Sequence, residues 1–159
     1  METSENLKQK ITEAIQECFV DTDLFLVDIQ ISAAPRIVVF LDGKVEHIKI
    51  HQCTRISRFL ENFLETNALV GEKYRLEVSS PGLEEPFKVT EQYEKWLNKP
   101  VEVLLVSGIK EIGELKAFDV NSVTIELPEQ KKKKEIIPAE LKTFAKEDIK
   151  YTRKHFVFK

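Results

Sequence analysis

The stretch LEVSSPGLEEP, Leu76–Pro86, limits the architecture more than any other part of the chain. Among 159 residues there are only five glycines and six prolines, and three of them fall here, at Pro81, Gly82 and Pro86. Proline fixes φ near the value wanted at the second position of a β-turn, and glycine accepts the positive φ of a type II third position. The residue before a proline is pushed into an extended conformation, which restricts Ser80 and Glu85. A strand running through Leu76 must therefore stop at Ser79 or Ser80. A segment bounded by two prolines is stiffer than a Gly/Ser tether. The pattern predicts a domain over 1–82, a semi-rigid connector over 83–90 and a second domain over 91–159.

Before the connector, Leu7, Ile11, Ala14, Ile15, Cys18 and Phe19 recur at three- and four-residue spacing. This predicts a helix over 4–19, with Thr3 or Ser4 to accept from its free N–H groups. LFLVDIQIS (24–32) alternates, which places Phe25, Val27, Ile29 and Ile31 on one buried face. After a turn at Ala34-Pro35, Arg36–Leu41 is apolar on both faces and fits an inner strand ended by Asp42-Gly43. Val45–Ile50 alternates but is short and runs into a second helix, over 51–66, striped by Cys53, Ile56, Leu60, Phe63 and Leu64. Tyr74, Leu76 and Val78 then share one face of a strand over 73–79. The order α-β-β-α-β predicts two helices covering one face of a small sheet.

The second half changes character. A short helix over 91–97 precedes strands expected at 101–106, 113–118, 122–127, 135–137 and 149–152, with breaks at Ser107-Gly108 and Asp119–Asn121. Short strands at turn-sized spacing predict a small β-barrel, so the chain is read as α+β. Lys131–Lys134 falls between two of these strands and is expected at a solvated loop tip.

Hydrophobic residues make up 42% and charged residues 32%, the balance of an ordinary globular protein. No apolar run reaches the ~18 residues of a membrane span, and METSENLKQK lacks the order of a signal peptide. A cytoplasmic location is expected, and two cysteines are too few for a disulfide framework. Residues 1–80 carry 9 basic and 13 acidic side chains, whereas 131–159 carry 10 and 4. An acidic body suits a basic protein partner, and a basic tail suits phosphate.

Chemistry is thinly signalled. His47, His51 and Cys53 lie close in sequence but lack the further ligands of a metal site. Ser79 and Ser80 lack the G-x-S-x-G elbow, and Pro81 removes an N–H that an oxyanion would use. The two hydroxyls are read as caps at a strand end. No catalytic residue, metal or cofactor is expected.

Tyr74–Phe87, YRLEVSSPGLEEPF, resembles the signature of the bacterial ribosome maturation factor P (RimP) family. In that family a similar run joins an α/β N-terminal domain to an Sm/SH3-like barrel. CTRISRFLENFLE (Cys53–Glu65) is similar to the family's second helix, and GELKAFDVNSVTIEL (Gly113–Leu127) to its barrel strands. The sequence departs from the pattern at Glu85, where many members carry Arg, at Phe87, where they carry Leu, and at Ile50-His51-Gln52, where an acidic pair is usual. The resemblance implies a non-catalytic, monomeric factor for assembly of the small (30S) ribosomal subunit. Its implied partners are the immature particle, ribosomal protein twelve of the small subunit and nearby 16S rRNA.

Two groups of residues are candidates for contact. Ser79, Ser80, Pro81, Gly82, Leu83, Glu85, Pro86 and Phe87 form a partner-binding or interdomain junction, with Leu83 and Phe87 read as a staple between the domains. Lys131, Lys132, Lys133, Lys134, Lys150, Arg153 and Lys154, with Lys159 beyond them, are candidate RNA contacts. Tyr151, Phe156 and Phe158 offer rings for stacking, although alternating strand positions favour a core role. The alternative function is a stand-alone RNA-binding module.

Overall fold

The computed structural model describes residues 3–33 and 35–156. Ala34, Phe158 and Lys159, named above, lie outside the described residues. The chain forms two compact units, parted between Pro81 and Gly82.

The first unit begins with α1 (Ser4–Phe19), whose buried stripe is Leu7, Ile11 and Ile15. Thr3 Oγ1 accepts from the Asn6 N–H at 3.2 Å and so satisfies one free donor of the first turn. Strands β1 (Leu24–Ser32) and β2 (Arg36–Gly43) pair antiparallel. Helix α2 (Ile50–Thr66) then crosses over to β3 (Arg75–Ser79), which pairs parallel with β2. The sheet order is β1-β2-β3, so β2 is the inner strand that its two-sided apolar pattern predicts. Ile56, Leu60 and Leu64 of α2 are fully buried against the sheet and α1. At the C-terminal end of α2 the Tyr74 hydroxyl donates to Glu65 at 2.9 Å. Burial, then this bond to a carboxylate, push the Tyr74 pKa up to about 12.

Two sequence expectations fail here for local reasons. A bulge at Val27 shifts the β1 register, since Leu26 pairs with Leu41 and Asp28 with Phe40. The extra residue reverses the alternation. Leu24 and Leu26 before it and Ile29 and Ile31 after it face the helices, and Phe25 falls on the opposite side from Ile29. The ambiguous segment after β2 is not a strand because side chains take its backbone. The Asp23 carboxylate accepts from Val45 and Glu46, and buried Asp42 accepts from Gly43 and Ile48.

The second unit starts with a turn closed by the Glu85 N–H donating to the Gly82 carbonyl at 3.2 Å. The central residues are thus Leu83 and Glu84, and Gly82 does not take positive φ. The expected type II turn centred on Pro81-Gly82 is replaced by one shifted along the chain, which ordinary residues can occupy. Phe87 follows, 9% exposed, with its N–H bonded to the Thr152 carbonyl at 2.7 Å. Its ring stacks edge-on against Tyr93 at 4.9 Å, on the short helix α3 (Thr90–Lys95).

The remaining strands are β4 (Pro100–Leu105), β5 (Lys110–Phe118), β6 (Ser122–Leu127), β7 (Gln130–Lys132), β8 (Glu135–Ile137), β9 (Glu140–Ala145) and β10 (Ile149–Lys154). Five of them form an antiparallel sheet in the order β10-β4-β5-β6-β9. Val101, Val103, Leu115, Val123 and Ile125 are fully buried on its inner side with Phe87. The strand expected at 135–137 exists but pairs only with β7; the sheet's edge is instead β9, which the sequence pattern did not disclose. The expected loop tip is likewise a hairpin, with Lys131 and Lys132 in β7.

A single three-residue 3-10 turn, Lys146–Asp148, joins β9 to β10 although they stand at opposite edges of the sheet. Four residue steps span at most about 14 Å. Five strands laid flat would separate the edges by roughly 19 Å. The sheet must therefore be strongly curled, and bulges at Lys116 and Lys150 assist the bend. Among the described residues no ladder joins β9 to β10, so the sheet of the expected small barrel is not closed.

Gly113 is needed where β5 approaches β6, because a Cβ there would lie 2.5 Å from the Glu126 carbonyl oxygen. At Gly82 a Cβ would meet only the flexible Glu85 side chain, at 3.3 Å. Gly113→Ala should lower the unfolding midpoint followed by Trp96, the only tryptophan in the sequence, whereas Gly82→Ala should stay within about 0.5 kcal/mol of wild type. Leu60→Ala should destabilise the first unit by about 2–5 kcal/mol, followed in urea by far-UV ellipticity. The Trp96 transition should keep its midpoint in that variant; an equal shift would mean that the chain unfolds as one block.

Candidate functional site

Residues of the Ser79–Phe87 stretch line a groove on the first unit and depressions on the second. On the first unit a groove of about 560 Å³ runs between α2 and the end of β3. Cys53, Ser57, Arg58 and Glu61 line it from the helix, and Val78, Ser79 and Ser80 from the strand. The Ser79 hydroxyl donates to the carbonyl of its neighbour Ser80 at 3.1 Å, a local bond at the strand end. Burial pushes the Cys53 thiol pKa up, which keeps it a thiol at neutral pH. His47 Nδ1 lies 3.7 Å from Asp42. Among the described residues no three His, Cys, Asp or Glu side chains gather as a metal-binding group.

On the second unit a cleft of about 670 Å³ is lined by Gly82, Leu83, Glu84 and Glu85 on one side and by Glu102, Arg153, Lys154, His155 and Phe156 on the other. It brings together residues from both candidate groups. Leu83 stands 61% exposed, while Phe87 lies in the second core.

The floor of the cleft is a carboxylate that the sequence reading passed over. Glu102 sits on β4 between Val101 and Val103 and is only 6% exposed. Arg153 is its direct cross-strand partner on β10. Arg153 Nε donates to Glu102 Oε2 at 2.6 Å, the Tyr151 hydroxyl donates to the same oxygen at 3.0 Å, and Lys110 Nζ lies 3.6 Å from Oε1. Burial alone would raise the Glu102 pKa. The bonds from Tyr151 and Arg153, with the charges of Arg153 and Lys110, outweigh burial and hold it below its ordinary value. Tyr151 and Arg153 are thus committed within the protein. Lys154 lies 5.0 Å over the Trp96 ring, and Phe156 meets that ring edge-on at 5.9 Å. The available signal was the Tyr151-x-Arg153 spacing, which puts a phenol and a guanidinium on one strand face. It becomes legible only once β10 is known to pair with β4.

The remaining basic candidates lie elsewhere. Lys131–Lys134 are all exposed on the β7–β8 hairpin, and Lys150 is exposed at the β10 bulge.

Residues 14–84 match the model of the RimP N-terminal domain. The chain is 32% identical over 148 residues to the ribosome maturation factor RimP of Porphyromonas gingivalis, covering 90% of this chain and 94% of that protein. The chain belongs to the RimP family. The ribosome maturation factor RimP of Cytophaga hutchinsonii is 36% identical over 132 residues, 80% of this chain and 77% of the relative. Membership thus extends through the curled sheet as well as the α/β unit. No described helix is long and apolar enough to cross a membrane.

A depressed carboxyl pKa contributes stability that is present above the unfolded-state value and is lost as pH falls through the folded-state value. The second unit of the wild type should therefore weaken on acidification from about pH 5 downward. Glu102→Gln should be less stable at neutral pH and should show a flatter acid limb, read by Trp96 emission in urea at each pH. Parallel acid limbs in the two proteins would refute the assignment.

Proposed function

We propose that the protein is a non-catalytic maturation factor for the small (30S) ribosomal subunit, which binds a basic ribosomal protein and adjacent rRNA on the immature particle. The observation that carries this reading is the similarity to proteins named ribosome maturation factor RimP, sustained over 90% of the chain. Charge supports it. The first 80 residues hold 13 acidic against 9 basic side chains, which favours encounter with a basic protein such as ribosomal protein twelve. The 10 basic residues beyond position 130 suit 16S rRNA. The factor acts as a cytoplasmic monomer.

Within this reading the second unit is an Sm/SH3-like sheet that stops short of closure. Its strand order and the short return from β9 to β10 support that description. The Ser79–Phe87 stretch is a partner-binding segment in this reading: Ser79 and Ser80 line the groove of the first unit, and Gly82, Leu83 and Glu85 line the cleft of the second.

Sucrose-gradient sedimentation of cell lysate, blotted for this protein, tests the proposal. The protein should travel with small-subunit precursors and leave mature 70S ribosomes. Absence from every small-subunit fraction would sink it.

A further inference from the structure

The β7–β8 hairpin is built against the rules for a stable hairpin. Its two strands pair only with each other and lie outside the five-stranded sheet. An isolated two-stranded ribbon is marginal in water. Four consecutive lysines, Lys131–Lys134, occupy its end, and adjacent like charges repel. Lys133, the first residue of the two-residue loop, has φ 55°, a position that favours glycine or asparagine. Fold stability explains none of these choices. Local rules broken without a structural gain mark a functional constraint.

The four ammonium groups are also uncompensated. Among the described residues no carboxylate lies within ion-pair distance of any of them. Elsewhere in the second unit Lys110, Lys116 and Lys142 sit beside glutamates, Arg153 is held by Glu102, and Lys154 and Lys99 lie over Trp96. These six cations of the second unit are engaged inside the protein, while Lys150 on β10 and the four lysines of the hairpin face solvent.

Geometry separates the anionic partners that would neutralise them. Successive strand residues point to opposite faces, so Lys131 and Lys132 project to either side of the ribbon while Lys133 and Lys134 sit at its tip. A flat lipid surface is met by one face. A groove walled by two phosphate strands meets both. Gln130–Ile137 contains no aromatic ring on which a base would stack. A-form RNA has a deep, narrow major groove whose base edges side chains do not read, with phosphates along both walls.

We propose that the β7–β8 hairpin is a prong that sits across the mouth of the narrow major groove of duplex RNA, where its lysines reach phosphates on both walls and supply affinity without sequence preference. This rests on the reading above that RNA is among the partners, and it assigns that contact to Lys131–Lys134 rather than to Arg153 and Lys154.

The test uses the full-length chain and a fluorescein-labelled RNA stem-loop, with affinity followed by anisotropy across a salt series. Each phosphate neutralised contributes about 0.7–0.9 to the slope of log affinity against log salt. Replacing Lys131, Lys132, Lys133 and Lys134 together by Gln should reduce that slope by roughly 2–4 and weaken binding at least about tenfold at low salt. Scrambling the base pairs of the stem should leave wild-type affinity unchanged. Lys133→Gly relaxes the turn and keeps three lysines; it should fold at least as well as wild type and lower the slope by about one. Trp96 emission reports that the sheet is intact in both variants. An unchanged slope in the folded fourfold variant would overturn the proposal. So would a loss confined to anionic phosphatidylserine vesicles, with RNA binding retained. A reduced slope in a protein that never sediments with small-subunit precursors would refute the assembly reading and uphold the prong.

Discussion

The short connection from β9 to β10 governs the second unit. Three residues, Lys146–Asp148, must carry the chain from one edge of a five-stranded sheet to the other. Only a curled sheet permits that, and the curl has consequences along a chain of contacts. It returns β10 to the free side of β4, which sets Arg153 opposite Glu102. It encloses Val101, Val103, Leu115, Val123 and Ile125 around Phe87. It also folds the Gly82–Glu85 turn and the Arg153–Phe156 segment around a shared cleft. The charged floor of that cleft is a by-product of covalent brevity.

The first unit solves a different problem. A three-stranded sheet has little surface of its own, and a parallel pair needs a crossover to exist at all. Helix α2 serves as both the crossover from β2 to β3 and the cover for the sheet. Ile56, Leu60 and Leu64 are fully buried for that reason. The carboxylates of Asp23 and Asp42 hold the entry to α2 by taking the N–H groups of Val45, Glu46 and Ile48. The polar residues of that loop do the positioning, and the apolar ones supply the driving force.

Much of this was legible in the residues. Both long helices carry 3.6-residue stripes, and the inner strand β2 shows apolar residues on both faces, so periodicity sufficed for them. Strand β9 was not legible, because as an edge strand it contributes Phe144 to the core while Leu141 is 64% exposed. The bulge at Val27 was hidden because LFLVDIQIS alternates well enough in either register. The turn after β3 was misplaced because glycine permits positive φ without requiring it, and Gly82 does not use that freedom. Of the candidate contacts, Lys131–Lys134 were visible as a charge run. The engagement of Arg153 by Glu102 was not, since it joins residues 51 apart in sequence.

The β7–β8 hairpin leaves the sheet after Leu127 and returns at Glu140, and these two residues are paired across β6 and β9. The excursion between them therefore starts and ends at neighbouring points of a closed ladder. Loop-closure entropy grows only slowly with length, so the core scarcely registers what the excursion contains. Lengthening, shortening or recharging it would leave the second unit's packing untouched. This makes the segment a modular appendage, able to diverge faster than the scaffold that carries it, and a natural graft point for a fluorophore or cross-linker aimed at whatever the protein touches.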